Sequence, residues 1–293
     1  MPDNIHYSFI IPHKNTPSLF QRCLESIPQR EDIEVIVVDD NSDEHLKPHA
    51  NRHDVILLEI ESDRSKGAGR ARNMGLSQAK GRWVLFADAD DYYEKGFIDV
   101  LEQYKDCDAD VIYFNHQMVR EGRTIKNRYP FVDRYDVNNS ATLDAVKYRF
   151  NVPWNKMVKK SFLTSKNITF EETPVGNDVF FCYQVGFLAR KVFVDKAIIY
   201  NYVINENSTI RRKKNNEAFY LAQLNHHYQC NYFYEYVGYP SWSQGIVRLF
   251  AAIIVKKSLG QLILAIRVFA KHYSDIIKGK NFFVNGIKSR CYD

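Results

Sequence analysis

The sequence predicts an α/β fold in which a mostly parallel β-sheet is flanked by helices and followed by a helical C-terminal extension. Short apolar runs alternate with amphipathic segments through the first third of the chain, and 45% of its 293 residues are hydrophobic. Carboxylates directly follow two of the apolar runs. Alternating strands and helices indicate a parallel sheet with both faces covered. Ligands bind such sheets beyond the carboxyl ends of the strands.

Each element follows from its hydrophobic pattern. Apolar runs predict strands at 7–11, 33–38, 55–60, 83–87 and 110–114, and the segment 192–202 is also predicted to form strands, the last of the domain. The pattern also predicts helices at 17–28, where the apolar residues lie on one face, at 68–79, which Gly81 ends, and at 95–104, 159–166 and 178–189. The pattern loosens from 118 to 150, which predicts a long loop or hairpin. Beyond the basic run Arg211–Lys214, which is typical of a domain boundary, we expect helix to about residue 277.

Composition excludes several classes of protein. The five cysteines are scattered and include no C-x-x-C pair, so neither a zinc site nor a disulfide framework is expected and a reducing cytoplasm fits best. Residues 1–4 lack the features of a signal peptide, and no stretch has the roughly 18 uncharged apolar residues that a spanning helix needs. Basic runs occur without a nucleic-acid motif, so no nucleic-acid partner is expected.

The C-terminal segment 245–293 is both basic and apolar. It holds nine Lys or Arg residues and two Asp residues. This composition suits peripheral contact with anionic lipid at the inner face of the cell membrane, or with an acidic partner protein. It equally suits a pair of helices with a solvated basic face, and the sequence alone does not separate these alternatives.

The segment Ala87–Asp91 places Asp88, Asp90 and Asp91 directly after the apolar run 83–86. Like charges this close repel one another unless a cation neutralises them. Carboxylate oxygens suit Mg²⁺ or Mn²⁺, which commonly share their coordination shell with substrate phosphates. The alternative is a solvated acidic turn that caps the next helix.

Four segments in the same order resemble the motifs of inverting glycosyltransferases of family 2, which have the GT-A nucleotide-sugar fold, and in particular members that build bacterial surface polysaccharides. The resemblance covers about residues 7–210. It implies metal-dependent transfer of a sugar from a UDP-sugar to a hydroxyl of a glycan or lipid-linked glycan acceptor, as in capsule or lipopolysaccharide synthesis. The four segments are Val37–Ser42, Gly67–Gly75, Asp88–Asp90 and Val175–Phe181.

The resemblance also implies which residues bind the donor. Asp40 would accept a hydrogen bond from uracil, Arg72 would lie against the diphosphate, and Asp90 would coordinate the metal together with Asp88. The other implied donor-binding residues are Pro12, Lys14, Asn15, Gly67 and Ala89.

Two residues, Lys14 and Asn41, depart from the family pattern, and two of the segments can be explained by structure alone. Lys14 stands where many relatives carry a Tyr, and Asn41 stands where they carry a Gly, although Asn also tolerates a left-handed turn. As alternatives, Asp39 and Asp40 cap a turn, and the small residues of 67–75 serve close helix packing.

The same resemblance implies that Asp178 is the catalytic base. Asn177 replaces the Glu that usually precedes it, which should weaken the upward pressure on the pKa of Asp178. The alternative is that Asp178 is an ordinary helix N-cap. Trp154 and Lys156 match a segment that implies contact with acceptor sugar or phosphate, and core packing is the alternative for Trp154.

These assignments divide the chain into a nucleotide-sugar-binding half at 1–117, an acceptor-binding half of the same domain at 118–210, and the extension at 211–293. Two rival functions stay open at this point. A sugar-1-phosphate nucleotidyltransferase shares the open α/β sheet, but it needs a Gly-rich loop after the first strand, and 12–18 contains no Gly. A non-catalytic GT-A partner subunit would account for Asn177 and Lys14.

Overall fold

The computed structural model describes residues 5–61, 67–173, 176–204, 216–256 and 258–279. The chain forms two compact units. The first consists of Met1–Glu172 with Asn177–Glu206, and the second consists of Thr173–Gly176 with Asn207–Asp293. The expected boundary at 210/211 and the basic run Arg211–Lys214 lie outside the described residues.

The first unit alternates strands and helices along most of its length, as the hydrophobic pattern predicts. Its strands are β1 (Tyr7–His13), β2 (Ile33–Asp39), β3 (Val55–Glu59), β4 (Trp83–Phe86), β5 (Tyr92–Tyr93), β6 (Val111–Arg120), β7 (Arg123–Ile125), β8 (Lys156–Lys159) and β9 (Val192–Val203). Its helices are α1 (Pro17–Ser26), α2 (Ala68–Gln78), α3 (Phe97–Glu102), α4 (Ser140–Arg149), α5 (Lys160–Ser165) and α6 (Val179–Leu188).

Within the described residues these strands form one sheet in the order β3-β2-β1-β4-β8-β6-β9-β5, with β7 paired to β6. Strands β3, β2, β1 and β4 are mutually parallel, and β6 is parallel to β9. Strand β8 runs antiparallel between β4 and β6, and β5 is antiparallel to β9. The predicted α/β fold with a sheet flanked by helices is therefore confirmed. The sheet is mixed, with parallel pairing along β3-β2-β1-β4 and between β6 and β9.

The centre of the sheet is the hydrophobic core. Every residue of β2 and β4 is buried, and in β1 only Pro12 is partly exposed. Strands buried on both faces read as continuous apolar runs because helices cover each side. The carboxyl ends of β1, β2 and β4 therefore emerge together at one edge of the sheet.

The stretch from 118 to 150 is more ordered than a long loop. Strand β6 continues to Arg120 and turns back into β7, so the hairpin alternative holds for its beginning. Helix α4 follows, and the Asn139 side chain caps it by accepting a hydrogen bond from the Ala141 N–H. Its apolar residues are too few to give a clear helical period, which is why the sequence pattern missed it.

The second unit is helical, as predicted for the extension. Its helices are α7 (Glu217–Tyr236), α8 (Ile246–Lys256) and α9 (Leu259–Gly279). They pack around a core of their own formed by Tyr220, Leu224, Ile253, Ala265, Val268 and Ile276. Among the described residues no helix is both long and apolar enough to cross a membrane.

Candidate active site

The predicted donor-binding residues lie at the carboxyl edge of the parallel strands. The Asp40 N–H donates to the His13 carbonyl at 2.9 Å, and the Ala87 N–H donates to the Ile10 carbonyl at 3.1 Å. Asp40 and Asp88 therefore follow the two strands that flank β1. Adjacent strands are about 4.8 Å apart, so the axes of these two strands are about 10 Å apart, and both strands end at the same edge of the sheet.

A buried hydrogen-bond network fixes the ends of β1 and β2. The Thr16 N–H donates to His13 Nε2 at 3.3 Å, so His13 Nδ1 carries the proton and donates to Asp39 Oδ1 at 2.7 Å. The Ser42 hydroxyl donates to the same oxygen at 2.5 Å. Burial alone would raise the pKa of Asp39, but the hydrogen bonds from His13 and Ser42 outweigh it and lower the pKa.

Asp40 follows the residues that this network holds, and it is buried. Asn41 after it has φ of 58°, so the expected left-handed turn is confirmed. The Lys14 ammonium donates to the Asp40 carbonyl at 2.8 Å and lies 3.5 Å from its carboxylate. The Asn15 carboxamide accepts from the Asp43 N–H at 2.8 Å, which ties the two loops together. Lys14 thus contacts both the backbone and the carboxylate of Asp40, and the Lys14 side chain itself is half exposed.

Helix α2 begins at the same edge and packs closely on the sheet. A Cβ added at Gly75 would lie 2.5 Å from Ile10 Cγ2, so only Gly allows this approach to β1. A Cβ at Gly69 would collide with the Glu171 carbonyl oxygen and lie 3.0 Å from Asn177 Cβ. The small residues therefore do serve packing, and they bring the first turn of α2 against the segment that leads into α6.

Arg72 lies on α2 at the centre of the site and is almost fully buried. Its guanidinium donates to Asp88 Oδ1 at 2.5 Å and to Asn177 Oδ1 at 3.1 Å, and it lies 5.4 Å from the Phe170 ring. Asn177 therefore accepts a hydrogen bond from Arg72 at the position where relatives carry an acid. Arg72 links the acidic turn after β4 to the residue that precedes Asp178.

The three carboxylates of the acidic turn differ in burial and in their hydrogen bonds. Asp91 is buried and accepts from the Tyr200 hydroxyl at 3.0 Å and from the Val203 N–H at 2.7 Å. Burial, followed by the charges of Asp88 and Asp90, raises the pKa of Asp91 well above its ordinary value. Asp88 and Asp90 are only partly buried. Asp91 is thus a structural residue, and Asp88 and Asp90 remain as candidate metal ligands.

The donor set at this turn fits a cation whose shell the substrate completes. Among the described residues no group of three or more His, Cys, Asp or Glu side chains is arranged to hold a metal ion. Two carboxylates are an incomplete shell for Mg²⁺ or Mn²⁺, which bind readily through one or two carboxylates together with substrate phosphates. The arrangement therefore suits an ion that arrives with a diphosphate.

Asp178 occupies the N-cap position of α6, but its side chain makes no capping hydrogen bond. Burial raises the pKa of Asp178, and the nearby Arg72 guanidinium offsets part of that rise. The pKa of Asp178 is therefore raised by burial, although the neighbouring Asn177 carries no negative charge that would raise it. The carboxylate is thereby suited to accept a proton.

Two contacts position the segment before Asp178. The Asn73 carboxamide forms paired hydrogen bonds with the backbone of Phe170, at 2.9 Å to its carbonyl and 2.8 Å from its N–H. The Phe170 ring stacks on Phe181 of α6 with centroids 3.9 Å apart. Both side chains of the Arg72-Asn73 pair therefore contact the segment around Asp178: Arg72 contacts Asn177, and Asn73 contacts the Phe170 backbone.

The structure does not bring Trp154 and Lys156 to the site surface. Trp154 is buried and stacks on Tyr200 and Tyr202 at 5.0 and 5.4 Å, which favours the core-packing alternative. Lys156 is 0% exposed, and its ammonium donates to the carbonyls of Phe150 and Val152. Burial lowers the pKa of Lys156. In this structure its hydrogen bonds go to protein oxygens, and the expected acceptor contact stays a prediction.

Two residues of the site lie outside the predicted set. Arg22 on α1 donates to the Asp90 carbonyl at 2.5 Å and lies 5.0 Å from the Tyr92 ring. The Tyr200 hydroxyl accepts from the Asp88 N–H at 2.9 Å in addition to its bond to Asp91. No local sequence signal marks Arg22, because its partner lies 68 residues away. Tyr200 stands in a segment that the sequence assigns only to a closing strand.

Comparison with known proteins identifies relatives of the chain. The family model described as Glycosyl transferase family 2 matches residues 8–192. EpsH of Bacillus subtilis (strain 168) is 27% identical over 222 residues, which are 70% of this chain and 62% of EpsH. The GalNAc(5)-diNAcBac-PP-undecaprenol beta-1,3-glucosyltransferase of Campylobacter jejuni subsp. jejuni serotype O:2 is 26% identical over 224 residues, or 74% of this chain and 71% of that protein.

A solved structure shares the fold. The crystal structure of Staphylococcus aureus TarS residues 1–349 in complex with UDP-GlcNAc superimposes with a TM-score of 0.64 at 21% identity, covering 98% of this chain and 91% of that one. The chain spans about three fifths of EpsH and about a third of two further relatives.

Proposed function

The chain belongs to glycosyl transferase family 2, and we propose that it transfers a sugar from a UDP-sugar to an acceptor hydroxyl with inversion at the anomeric carbon. The observation that carries this proposal is the cluster of Arg72, Asp88 and Asp178. The Arg72 guanidinium donates a hydrogen bond to Asp88 at 2.5 Å. Its charge also offsets part of the rise that burial causes in the pKa of Asp178. In our proposal, Arg72 of this cluster binds the diphosphate, Asp88 binds the metal and Asp178 is the base.

Donor binding would use the edge of the sheet and the start of α2. Asp40, which Lys14 contacts, would accept a hydrogen bond from a uracil N–H. The free N–H groups at the N-terminus of α2 and the Arg72 guanidinium favour the diphosphate. TarS, which has this fold, was crystallised with UDP-GlcNAc and with UDP, and this supports a UDP-sugar as the donor class.

Asp88 and Asp90 would hold Mn²⁺ or Mg²⁺ through their carboxylate oxygens. When bound, the ion would neutralise the negative charge that develops on the departing diphosphate. Arg72 would add to this stabilisation through N–H groups that are already oriented by Asn177. Arg22, which holds the Asp90 carbonyl, fixes the turn from which both carboxylates project.

Asp178 would act as the base in a single displacement. The acceptor oxygen forms a bond to the anomeric carbon as the bond from that carbon to the phosphate oxygen breaks. The electron pair leaves with UDP, and the acceptor hydroxyl proton passes to the Asp178 carboxylate. The raised pKa of Asp178 makes it a stronger base than an exposed Asp. One displacement inverts the anomeric configuration.

The acceptor that we propose is a bacterial surface glycan or its lipid-linked precursor. The name of the Campylobacter jejuni relative specifies an undecaprenol-linked acceptor, which supports this class. We further propose that the reaction takes place on the cytoplasmic side of the membrane. None of the four described cysteines forms a disulfide, which agrees with a reducing compartment.

Replacement of Asp178 tests the proposal. We expect Asp178→Asn to reduce sugar transfer by at least about a hundredfold, because general base catalysis typically contributes a factor of about 10² to 10⁴. UDP affinity should change less than about threefold. Transfer is measured with a panel of UDP-sugars and an oligosaccharide acceptor, and UDP affinity by calorimetry. Asp99→Asn, the same chemical change at an exposed residue of α3, is the matched control and should retain full activity. Equal losses of transfer and UDP binding would contradict the base role.

A further inference from the structure

Helices α8 and α9 already use one face each for the core of the second unit. Ile253 of α8 and Ala265, Val268 and Ile276 of α9 are buried in that core. The α9 residues follow helical spacing, which defines the inner face of this helix. The apolar residues on the opposite faces are therefore not needed to build the unit.

The outer face of α9 carries a second apolar stripe. Leu259, Ile263, Ile266 and Tyr273 are 61%, 43%, 45% and 53% exposed. Together with exposed Ala270 they alternate at spacings of four and three residues, so they align along one side of the helix. On α8, Val247 and Val255 are 76% and 83% exposed and lie eight residues apart with exposed Ala251 between them. We call these two rows the outer stripes.

Cations border the outer stripes. Arg248 on α8 and Arg267 on α9 are exposed next to them, and Lys271 pairs with Glu217 at 2.6 Å. By sequence, α8 and α9 together contain five Lys or Arg residues and one acidic residue, Asp275. Over 245–293, nine basic and two acidic residues give a charge of +7, whereas the whole chain carries +5, which leaves −2 for residues 1–244. The C-terminal segment that contains the outer stripes thus carries a net positive charge, whereas the rest of the chain does not.

We propose that the outer stripes of α8 and α9 form a docking surface for an anionic lipid bilayer. Apolar side chains flanked by Arg and Lys match the boundary between acyl chains and negatively charged headgroups. Neither helix can cross the bilayer, so the contact is peripheral. A second copy of the chain fits less well, because the same cations would face each other across a self-association interface.

The test measures binding of the full chain to vesicles by flotation. Vesicles of phosphatidylcholine with about 30% phosphatidylglycerol are compared with vesicles of phosphatidylcholine alone, at low and at high salt. We expect binding to the anionic vesicles that is at least about tenfold stronger and that weakens in high salt. Ile263→Ser/Ile266→Ser and Arg248→Glu/Arg267→Glu should each lower it at least about tenfold.

Matched substitutions in the first unit serve as controls. Val137→Ser replaces an apolar side chain that is 79% exposed, and Lys126→Glu/Arg128→Glu reverses two exposed charges. Both should bind the vesicles like the unaltered chain, and circular dichroism checks that every variant is folded. The charge variant leaves the apolar stripes and the inner faces intact, so it remains informative if the serine variant unfolds.

Three outcomes would overturn the proposal. The first is equal binding to neutral and anionic vesicles or no binding to either, which would leave an acidic protein as the partner to examine. The second is loss of binding in the controls to the same extent as in the α8 and α9 variants. The third is a dimer that is seen by sedimentation and that Ile263→Ser/Ile266→Ser dissociates, together with no binding to vesicles. This result would assign the stripes to contact with a second copy of the chain.

Discussion

Arg72 connects the two halves of the reaction that we propose. The sequence motif predicts that it lies against the donor diphosphate. Its hydrogen bond to Asn177 could not be predicted, because the two residues are 105 positions apart and meet only through the fold. The fold also explains how Asn serves where relatives carry an acid: its side-chain oxygen still accepts from the guanidinium.

Loss of Arg72 should change the pH dependence of transfer in a defined direction. Its positive charge lowers the pKa of Asp178, which burial raises. In Arg72→Gln that pKa should rise further. Because the base must be deprotonated, the acidic limb of kcat against pH should move to higher pH, by about one unit or more. We also expect kcat/KM at pH 8 to fall at least about a hundredfold, since the diphosphate loses a buried cation.

Glu171 provides an internal control for this measurement. Burial alone raises the pKa of Glu171 to about 7, so this residue also titrates near neutrality, and its rise does not depend on Arg72. An acidic limb that stays in place in Arg72→Gln would assign the base to Glu171 rather than to Asp178. A limb that moves to lower pH would contradict the electrostatic account of the site.

At the scale of elements, helix α2 shows why the small residues of 67–75 are needed. Gly75 brings the helix onto Ile10 of β1, and Gly69 brings it against the segment that leads into α6. The sequence predicted this helix, and Gly81 marked its end. Which strand it would contact was not predictable, because strand order depends on pairings distant in sequence.

The close approach at Gly75 can be tested by adding one methyl group. We expect Gly75→Ala to destabilise the first unit by about 1–3 kcal/mol, because the added Cβ would lie 2.5 Å from Ile10 Cγ2 and the core must move. Helix propensity alone would favour Ala by about 1 kcal/mol. Stability is measured by urea denaturation followed by tryptophan fluorescence.

Gly260→Ala is the matched substitution for this measurement. Gly260 is also helical, in α9, but an added Cβ would meet only Ser258 Oγ at 3.9 Å. Here the change should be neutral or slightly stabilising for the second unit. A stabilised Gly75→Ala variant would contradict the proposed role of that glycine in packing.

At the scale of the whole molecule, sequence predicts best what is encoded locally. Strands β1 to β4 and helices α1 and α2 follow from continuous apolar runs and from caps and breakers within a few residues. Strand β8 was missed because its four residues begin and end with Lys and form no apolar run, and its antiparallel place between β4 and β6 depends on partners elsewhere in the chain. The same limit explains Arg22, whose role arises only when α1 and the acidic turn meet.

The central claim is that Asp88 and Asp90, at the edge that also carries Asp40, hold a divalent ion together with a nucleotide diphosphate. Two carboxylates, one of them engaged by Arg72, should bind an ion weakly until the phosphates complete its shell. Binding of the ion and of UDP should therefore be mutually favourable, and equally so in both directions.

Calorimetric titration of UDP with and without Mn²⁺ measures this coupling most directly. For the unaltered chain we expect UDP to bind at least about tenfold more tightly with Mn²⁺ than with EDTA. Asp90→Ala should abolish that difference while leaving the binding in EDTA nearly unchanged. Equal UDP affinity with Mn²⁺ and with EDTA in the unaltered chain, or a Mn²⁺ effect that persists in Asp90→Ala, would contradict the proposed metal site.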